Sequence, residues 1–319
     1  MQAREGGNVT GDTYCFVVNP AACHGRGIRR MPAVLGPLSA AGVTLRVEAC
    51  SSLNHAAVLA TEAAERGEIV VAVGGDGTVG RMAAAVAAAG GVLGIIPAGG
   101  SNDFARMLGI PADPARAAAV LLRGGHREVD LIGVRAGDGP EHVVAGSVYL
   151  GIPSEGARLA AASHLPPGGL SYRIAGLRAL LAWQPASFTV SKENGAPAGG
   201  TFPGFCVVVA NSAYFAGTPA APDADVTDGL LDVVTVSDGS KLSFVRVMML
   251  ASRGRHTRLA QVGITRAASV TVSADRAMLA GADGEPLPFA SPLAAGVPLG
   301  IRALRGVLRC VMGPAGQSG

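Results

Sequence analysis

The chain has few cysteines and few histidines, and neither residue type is grouped. Its five cysteines are odd in number, widely scattered and include no CxxC pair, and its six histidines include no HxxxH spacing. The sequence therefore predicts neither a disulfide framework nor a zinc site. Unpaired cysteines of this kind fit a reducing cytoplasm.

Long apolar segments are also missing. Residues 1–13 are polar and contain no apolar signal core, so secretion is not expected. The uncharged stretch Met82–Asn102 is long enough for a membrane span, but the Gly90–Gly91 pair and Pro97 predict a helix, a turn and a strand instead. No lipidation motif is present. We expect a cytoplasmic protein whose membrane contact is peripheral and transient.

Charge is scarce and nearly balanced. Charged residues make up 15% of the chain and hydrophobic residues 49%, which is typical of a globular protein. The formal net charge of +3 is too small for a nucleic-acid footprint, so no nucleic-acid partner is expected. Two basic clusters could meet phosphates or anionic lipid heads, or could lie at solvated helix ends. They are Arg26, Arg29, Arg30 and Arg253, Arg255, His256, Arg258.

The order of apolar runs predicts an α/β fold with two domains. In the first domain, residues 12–127, strand-like runs alternate with helices, which indicates a parallel sheet covered by helices. These runs are Tyr14–Val18, Val43–Ala49, Ile69–Val73 and Val92–Ile96. Within the same domain, Asp113 and Pro114 should begin a helix that ends at Gly124 and Gly125.

The second predicted domain, residues 128–303, is rich in β-branched runs separated mainly by turns. This pattern predicts a mainly antiparallel β-sandwich. The runs are Glu128–Val134, Val143–Leu150, Ser187–Ser191, Phe205–Ala210, Leu230–Val236, Ser269–Val272 and Pro298–Ala303. Helices are expected at Leu170–Trp183 and Lys241–Ser252, and a flexible loop at Glu193–Thr201.

A glycine-rich turn follows the third strand-like run, at Gly74, Gly75, Asp76, Gly77 and Thr78. Glycines let backbone amides approach phosphate oxygens, and the next helix, expected over Val79–Ala89, adds the positive end of its dipole. A carboxylate beside a polyphosphate implies a bridging cation, so Asp76 indicates magnesium arriving with a nucleoside triphosphate. The turn has no lysine, which excludes the usual P-loop.

The same turn also has the GxGxxG spacing of a dinucleotide fold, at Gly75, Gly77 and Gly80. The next strand ends at Ile96 and Pro97 without the acidic residue that would hold a ribose, so this spacing is weak support for such a fold. An ordinary glycine-rich turn between a strand and a helix is the alternative.

A second turn of this kind follows the fourth strand-like run, at Pro97, Ala98, Gly99, Gly100, Ser101, Asn102 and Asp103. We expect a short helix after it, with Ser101 or Asn102 as its cap and Gly109 as its stop. Taken alone, Asp103 would be a negative charge favoured by the dipole of that helix.

The two turns together, GGDGTVGR and GGSNDFAR, resemble the diacylglycerol kinase catalytic family, which includes bacterial lipid kinases and sphingosine and ceramide kinases. The resemblance extends to the family's NP motif, its second signature and its DGE motif. These are found at Asn19–Pro20, at residues 207–235, and at Asp283, Gly284 and Glu285. The resemblance covers the chain from Phe16 to Glu285, and the order of its separate motifs makes it specific.

The resemblance implies ATP and Mg²⁺ as cofactors. ATP would be held by Asn19 and by the two turns, Gly74–Thr78 and Gly99–Asn102. The catalytic magnesium would be bridged through Asp76 and Asp103. The family architecture also implies an active site in the cleft between the two domains, and a C-terminal segment, residues 304–312, that packs back onto the first domain.

A general base and a second metal are implied as well. Glu285 would take the proton of the acceptor hydroxyl, helped by Asp130, although Asp130 could instead pair with a nearby arginine. A structural magnesium would be held by the carboxylate of Asp228 and the carbonyls of Asp225 and Leu230. A simple Asp-Gly turn is the alternative there.

Several positions depart from the family pattern. Gly100 stands where threonine is usual and Ser101 where glycine or alanine is usual, so a hydroxyl that contacts nucleotide is missing or displaced by one residue. Arg81 stands where the family has an acid. Cys23 and Cys50 lie at positions that could alter the phosphate pocket.

The resulting prediction is an ATP-dependent lipid kinase that acts at the membrane surface, with diacylglycerol as acceptor. A sphingoid base, ceramide, another glycerolipid or a polyprenyl alcohol stays open as acceptor. NAD kinases share GGDGT, so a soluble NAD kinase is one alternative, and a nucleotide-binding regulator without catalysis is another. A homodimer also stays open.

Overall fold

The structure is a computed structural model that describes residues 12–20, 25–123, 125–162, 169–192, 197–287 and 292–313. Within these residues the helices are α1 (Arg26–Ala40), α2 (Leu53–Glu65), α3 (Asp76–Ala88), α4 (Asp103–Met107), α5 (Pro114–Leu122), α6 (Ile152–Ala161), α7 (Gly169–Ala182) and α8 (Lys241–Ala251). The strands are β1 (Thr13–Val18), β2 (Thr44–Ala49), β3 (Ile69–Gly74), β4 (Val92–Pro97), β5 (His126–Ala136), β6 (His142–Val144), β7 (Ser147–Gly151), β8 (Ala186–Lys192), β9 (Pro197–Ala210), β10 (Leu231–Ser237), β11 (Val262–Ala267), β12 (Ser269–Ala274), β13 (Ala280–Ala282), β14 (Glu285–Pro286) and β15 (Leu299–Val311).

The chain forms two compact units. The first reaches to Leu131 and resumes at Arg305, and the second spans Ile132–Leu304. The two boundaries fall inside β5 and β15. The domain limits expected from sequence were residues 127 and 304.

The first unit is built on a parallel sheet, as predicted. Its strands lie in the order β2-β1-β3-β4, and β15 joins β4 in parallel at Arg309 and Cys310. β1, β3 and β4 are almost wholly buried, because their apolar residues are covered on both faces of the sheet. Helix α2 packs against α3, and α1 packs against α5.

The second unit is built on antiparallel strands. Its strands β13, β7, β9, β8, β12 and β15 are neighbours in that order, and β10 and β11 extend from β9. Its core consists of inward-facing apolar side chains from these strands, such as Val148, Phe188, Val209 and Val270. This arrangement confirms the predicted sandwich-like, mainly antiparallel domain.

Three expectations for the second unit need correction. The predicted run Val143–Leu150 is two strands, because the chain breaks between β6 and β7 at Ala145 and Gly146. Residues 197–201 of the predicted loop belong to β9, where hydrogen bonds to β8 override their glycine content, and residues 193–196 lie outside the described residues. Helix α6 and strands β11 and β13 were not predicted.

Helix limits were predicted well except at α3. This helix begins at Asp76, three residues earlier than the predicted Val79, so Asp76, Gly77 and Thr78 form its first turn rather than a loop. The predicted start of α5 is confirmed, since the Asp113 side chain accepts a hydrogen bond from Arg116 N; Gly124, its predicted stop, lies outside the described residues. No helix in the described part of the chain is both long and apolar enough to cross a membrane.

The cysteines that the structure describes are all free and buried, namely Cys15, Cys50, Cys206 and Cys310. Burial raises the pKa of the Cys15 thiol to about 11 and that of Cys206 to about 12. Burial also raises the pKa of Cys310. Cys23 lies outside the described residues.

Candidate functional site

The two glycine-rich turns lie at the carboxyl edge of the parallel sheet. Strand β1 pairs with β2 on one side and with β3 on the other, so the chain order reverses between β1 and β3. Ligands of open α/β sheets bind outside the strand ends at such a switch point. Asn19 directly follows β1 and Gly74 ends β3, so both predicted nucleotide contacts lie at this point.

The two glycine turns touch each other. Ala98 N donates to Gly74 O at 2.8 Å, which joins the ends of β3 and β4. A Cβ on Gly75 would lie 3.1 Å from Gly99 Cα, and a Cβ on Gly99 would overlap Gly75 Cα. Glycine is therefore required at Gly99, and a larger residue at Gly75 would push the two backbones apart by a few tenths of an ångström.

Asn102 closes the second turn instead of capping α4 with its side chain. Its backbone is left-handed, with φ 51° and ψ 47°. Its Oδ1 accepts from Gly99 N at 2.8 Å and its Nδ2 donates to Gly99 O at 3.2 Å. Asn102 is the N-cap residue of α4, as predicted, but its side chain makes no capping hydrogen bond because its amide is already used within the turn.

The carboxylate of Asp76 lies at the start of α4. Asp76 Oδ1 accepts from Phe104 N at 3.2 Å. Burial raises the pKa of Asp76, while hydrogen bonds from the backbone of Asn102, Asp103 and Phe104 and from the Ser101 side chain act in the opposite direction. Amides at a helix N-terminus favour a carboxylate, so one reason for an acid at this position is to hold α4 against α3.

Asp76 and Asp103 also fit a magnesium ion that arrives with a nucleotide. Both carboxylates belong to first turns, that of α3 and that of α4. Within the described ranges, no three residues among His, Cys, Asp and Glu come together as a metal-binding group. Mg²⁺ bound with a nucleotide needs only one or two carboxylates, because phosphates and water supply its other ligands. Their role as metal ligands stays a prediction.

The structure shows what surrounds three of the residues that depart from the family pattern. A Cβ on Gly100 would meet no atom within 4 Å, so the missing side chain leaves open space. The displaced hydroxyl, on Ser101, is hydrogen-bonded to Asp76. Arg81 Nη2 donates to Asn54 Oδ1 at 2.8 Å, so this base joins α3 to α2.

The DGE motif forms a turn that is fixed by its aspartate. Asp283 and Gly284 both have positive φ, 48° and 86°. The Asp283 carboxylate accepts from Ala145 N at 2.7 Å, Gly146 N at 2.8 Å and Ser147 N at 3.1 Å. Sequence reasoning gave Asp283 no role of its own, because the three amides lie some 136 to 138 positions away in the chain.

Glu285 begins β14, directly after this turn. It pairs with Ala282 of β13, and its side chain is exposed. The surrounding protein still removes enough water to raise the pKa of Glu285 above the ordinary value of a glutamate. A raised pKa brings a carboxylate closer to the range in which it can exchange a proton at neutral pH.

Asp130 has a backbone partner. The residue is only 1% exposed, and its Oδ1 accepts from Gly306 N at 2.7 Å. Gly306 has a φ of 61°, which suits glycine. The Asp130 carboxylate thus joins β5 to β15 within the first unit, and its help to the base stays a prediction.

One residue of the second predicted metal site, Asp228, pairs with an arginine. Arg266 forms an ion pair with Asp228 Oδ2, and its Nε lies 3.4 Å from Oδ2 of the buried Asp232. Asp228 Oδ1 accepts from Leu230 N, and Asp225 Oδ1 accepts from the backbone and hydroxyl of Thr227. Arg266 therefore compensates the charge of Asp228 in this arrangement, and the role of Asp225, Asp228 and Leu230 as metal ligands stays a prediction.

Several of these groups lie at the same end of neighbouring strands in the antiparallel sheet. Ala210, the last residue of β9, is opposite Ser147 on one side and Asp232 on the other, and Ala282 is opposite the neighbouring Val148. Asn211, next in the chain, is buried and its Nδ2 donates to Ala145 O at 3.0 Å. Asn211 was missed as an individual residue, although it lies in the family's second signature.

The two basic clusters are partly structural. His256 is buried, and its Nε2 donates to Ala220 O at 2.8 Å, so it belongs to the interior and not to a basic surface. Arg30 donates to Ala112 O at 2.7 Å and to the carbonyl of Pro97, which fixes the end of β4. Nothing is described for the side chain of Arg26.

Comparisons with known proteins agree with this arrangement. Residues 13–134 match the diacylglycerol kinase catalytic domain, and residues 146–305 match the YegS C-terminal NAD kinase beta sandwich-like domain. A diacylglycerol kinase of Mycobacterium tuberculosis is 31% identical over 96% of this chain and 97% of its own length. One of Bacillus subtilis is 29% identical over 85% of this chain and 88% of its own.

A solved structure agrees on the fold. A crystal structure described as a diacylglycerol kinase from Bacillus anthracis superposes with a TM-score of 0.68, covering 95% of this chain and 97% of that one, at 21% identity. Both matched domains, in this order, and a relative similar over its whole length lead to one conclusion. The chain belongs to the diacylglycerol kinase family.

Proposed function

We propose that this protein is an ATP- and Mg²⁺-dependent lipid kinase that transfers the γ-phosphate to the hydroxyl of diacylglycerol and forms phosphatidic acid. The observation that carries the proposal is the meeting of two glycine turns at the switch point of the parallel sheet, with the Asp76 carboxylate between α3 and α4. Relatives named diacylglycerol kinase that match nearly the whole chain support the choice of acceptor.

The first unit would bind the nucleotide. Backbone amides of the turns at Gly74–Thr78 and Gly99–Asn102, with Asn19, would bind phosphate oxygens at the N-termini of α3 and α4. Mg²⁺ bound with ATP would reduce the charge repulsion on the β- and γ-phosphates. Asp76 and Asp103 would hold that ion through carboxylate oxygens.

The second unit would supply the base. Glu285 would accept the proton of the lipid hydroxyl while the hydroxyl oxygen bonds to the γ-phosphorus and the bond from that phosphorus to the ADP oxygen breaks. The proton would later leave Glu285 to water. Asp283 would keep the base in place, because its three backbone hydrogen bonds fix the turn from which Glu285 extends.

The test is transfer of labelled γ-phosphate from ATP with magnesium to diacylglycerol in mixed micelles. Glu285→Gln should lower kcat by about 100- to 10,000-fold, the usual contribution of a general base. Glu65→Gln, an exposed glutamate of α2, is the matched control and should retain wild-type activity. Equal activity of the two variants would contradict the role of Glu285.

The acceptor is tested by a panel that contains diacylglycerol, ceramide, a sphingoid base, a polyprenyl alcohol and NAD. NAD is included because the second unit matches a domain described as NAD kinase-like. Transfer to NAD alone would overturn the lipid-kinase proposal. Tight ATP binding without transfer to any acceptor would favour a nucleotide-binding regulator instead.

A further inference from the structure

Helices α7 and α8 of the second unit are apolar on both faces, although the part of the chain that the structure describes covers only one face of each. On the covered side, Ala179 and Leu180 of α7 and Phe244 and Val247 of α8 are buried. On the other side, large apolar side chains are exposed, up to 63% for Leu181 and 81% for Leu242. A helix that is apolar all round normally meets apolar material on every side.

The exposed faces of the two helices share one pattern. In α7 it consists of Ile174, Leu177, Arg178 and Leu181, and in α8 of Leu242, Val245, Arg246 and Met249. Each stripe has apolar residues at positions i, i+3 and i+7 and an arginine at i+4, which places all four on one helix face. Met248 adds further exposed apolar surface to the second stripe.

The two stripes lie near each other. Lys241, the first residue of α8, donates through Nζ to Leu181 O near the end of α7. Leu181 belongs to the first stripe and Leu242, the next residue after Lys241, begins the second. We call this combined surface the α7–α8 face.

The charge around the α7–α8 face is mostly positive. Neither helix contains an aspartate or glutamate. Residues 238–258 contain five basic side chains against the single carboxylate of Asp238. The basic residues are Lys241, Arg246, Arg253, Arg255 and Arg258.

We propose that the α7–α8 face docks on the surface of an anionic lipid bilayer. Its apolar side chains would enter the boundary between headgroups and acyl chains, and its arginines would extend their charged ends to lipid phosphates. A second copy of the chain is a poorer occupant, since a two-fold symmetric contact would bring the cations of both copies into one interface without added carboxylates. The inference rests on the proposed function only for the choice of a lipid surface over another apolar partner.

Binding is tested by sedimentation with vesicles in the absence of ATP. The vesicles contain phosphatidylcholine alone or with one quarter phosphatidylglycerol. The double variant Leu242→Ser/Met249→Ser should bind the anionic vesicles at least tenfold more weakly than the wild type, and Arg246→Glu about tenfold more weakly. Val58→Ser, which removes an apolar side chain that is 53% exposed on α2, should bind like the wild type.

Three results would overturn the proposal. The wild type could fail to bind anionic vesicles, the double variant could bind as tightly as Val58→Ser, or the wild type could form a dimer that the double variant does not. Thermal unfolding within a few degrees of the wild type confirms that each variant is folded.

Failure of this inference can be distinguished from failure of the proposed function. Vesicle binding is measured without turnover, so it does not depend on kinase activity. On a short-chain diacylglycerol dissolved as monomers, the double variant should keep kcat/KM within twofold of the wild type, and on vesicles its kcat/KM should fall together with binding. Loss of both activities would contradict a purely docking role for the α7–α8 face.

Discussion

Three consecutive backbone amides donate to the Asp283 carboxylate, so one side chain fixes the turn that carries Glu285. Gly146, one of the three donors, leaves little room for a larger residue, because a Cβ there would lie 3.1 Å from Asp283 Oδ1 and would force that carboxylate to shift. The two acids of the DGE motif therefore have different tasks. Asp283 is bound by backbone, while Glu285 is exposed and has a raised pKa.

Asp283→Asn should destabilise the second unit. Asparagine tolerates the positive φ of this position, but one accepting oxygen becomes an NH₂ group that faces backbone donors. We expect the free energy of unfolding to fall by about 2 kcal/mol, as for hydrogen bonds to a charged group. The measurement is thermal or urea unfolding, and Asp275→Asn, an exposed aspartate of the same unit, is the control. Equal stability of the two variants would show that the amides do not need the carboxylate.

Glu285→Gln should not lower stability at neutral pH, although it should strongly lower kcat. Since burial raises the pKa of Glu285, the folded protein binds this proton more tightly than the unfolded chain. The ionised carboxylate therefore costs stability above the folded-state pKa, and this cost is absent below the unfolded value of about 4.3.

The pH dependence of thermal unfolding tests whether the ionised Glu285 carboxylate lowers the stability of the folded protein. The melting temperature of Glu285→Gln should equal or exceed that of the wild type at pH 7, and the difference should vanish near pH 4. Glu65→Gln measures the background effect of removing one surface carboxylate. If Glu285→Gln is less stable than the wild type at pH 7 and equally stable at pH 4, the pKa of Glu285 is lowered by folding rather than raised.

At the level of helices and strands, the sequence predicted the elements whose limits depend on local pattern. It missed those whose limits depend on contacts between distant residues. Strands β1 to β4 were predicted to within one residue at each end, because short apolar or β-branched runs between turn residues and helical segments have few other interpretations. The start of α3 was placed too late, since Gly77 disfavours a helix locally. In the fold, Asp76 is held by the amide of Phe104, so the first turn of α3 forms despite its glycine.

The close contact between the two glycine turns should make Gly99 sensitive to substitution. Gly99→Ala should push the turns apart, because the new Cβ would overlap Gly75 Cα and lie 2.8 Å from Asn102 Oδ1. We expect ATP affinity to fall at least tenfold and stability to fall by about 1–3 kcal/mol, as for overpacking. Isothermal titration with ATP and magnesium measures the first effect, and thermal unfolding measures the second.

The control for this prediction is the adjacent glycine. Gly100→Ala places a Cβ in open space, so its stability should stay within about 0.5 kcal/mol of the wild type. If both variants bind ATP equally well, the contact of the turns does not shape the nucleotide site.

At the scale of the whole molecule, the chain leaves the first unit at Leu131 and returns to it at Arg305. In the sequence, the change from alternating helices and strands to a β-rich pattern indicated two domains. The hydrogen bond from Gly306 to Asp130 was not predictable, because no local pattern relates residues 176 positions apart. The same limit explains why the bonds of Asp283 and the ion pairs of Arg266 were missed.

A chain that ends after Leu304 should have a destabilised first unit. It would lack the part of β15 that pairs with β4 at Arg309 and Cys310, and Asp130 would lose the amide of Gly306. Hydrogen exchange at the β4 amides should become at least tenfold faster, since opening of β4 would cost less. A chain that ends after Gly313 keeps both contacts and is the control, so equal exchange in the two chains would contradict the prediction.

The buried thiols make unfolding of each unit separately visible. Thiolates are the reactive form of cysteine, and burial keeps Cys15, Cys206 and Cys310 protonated and out of reach of an alkylating reagent. Cys15 and Cys310 belong to the first unit and Cys206 to the second. Cys23→Ser removes the cysteine that lies outside the described residues. In this variant, the order in which the other cysteines are alkylated during slow denaturation would therefore show which unit unfolds first, without any added probe.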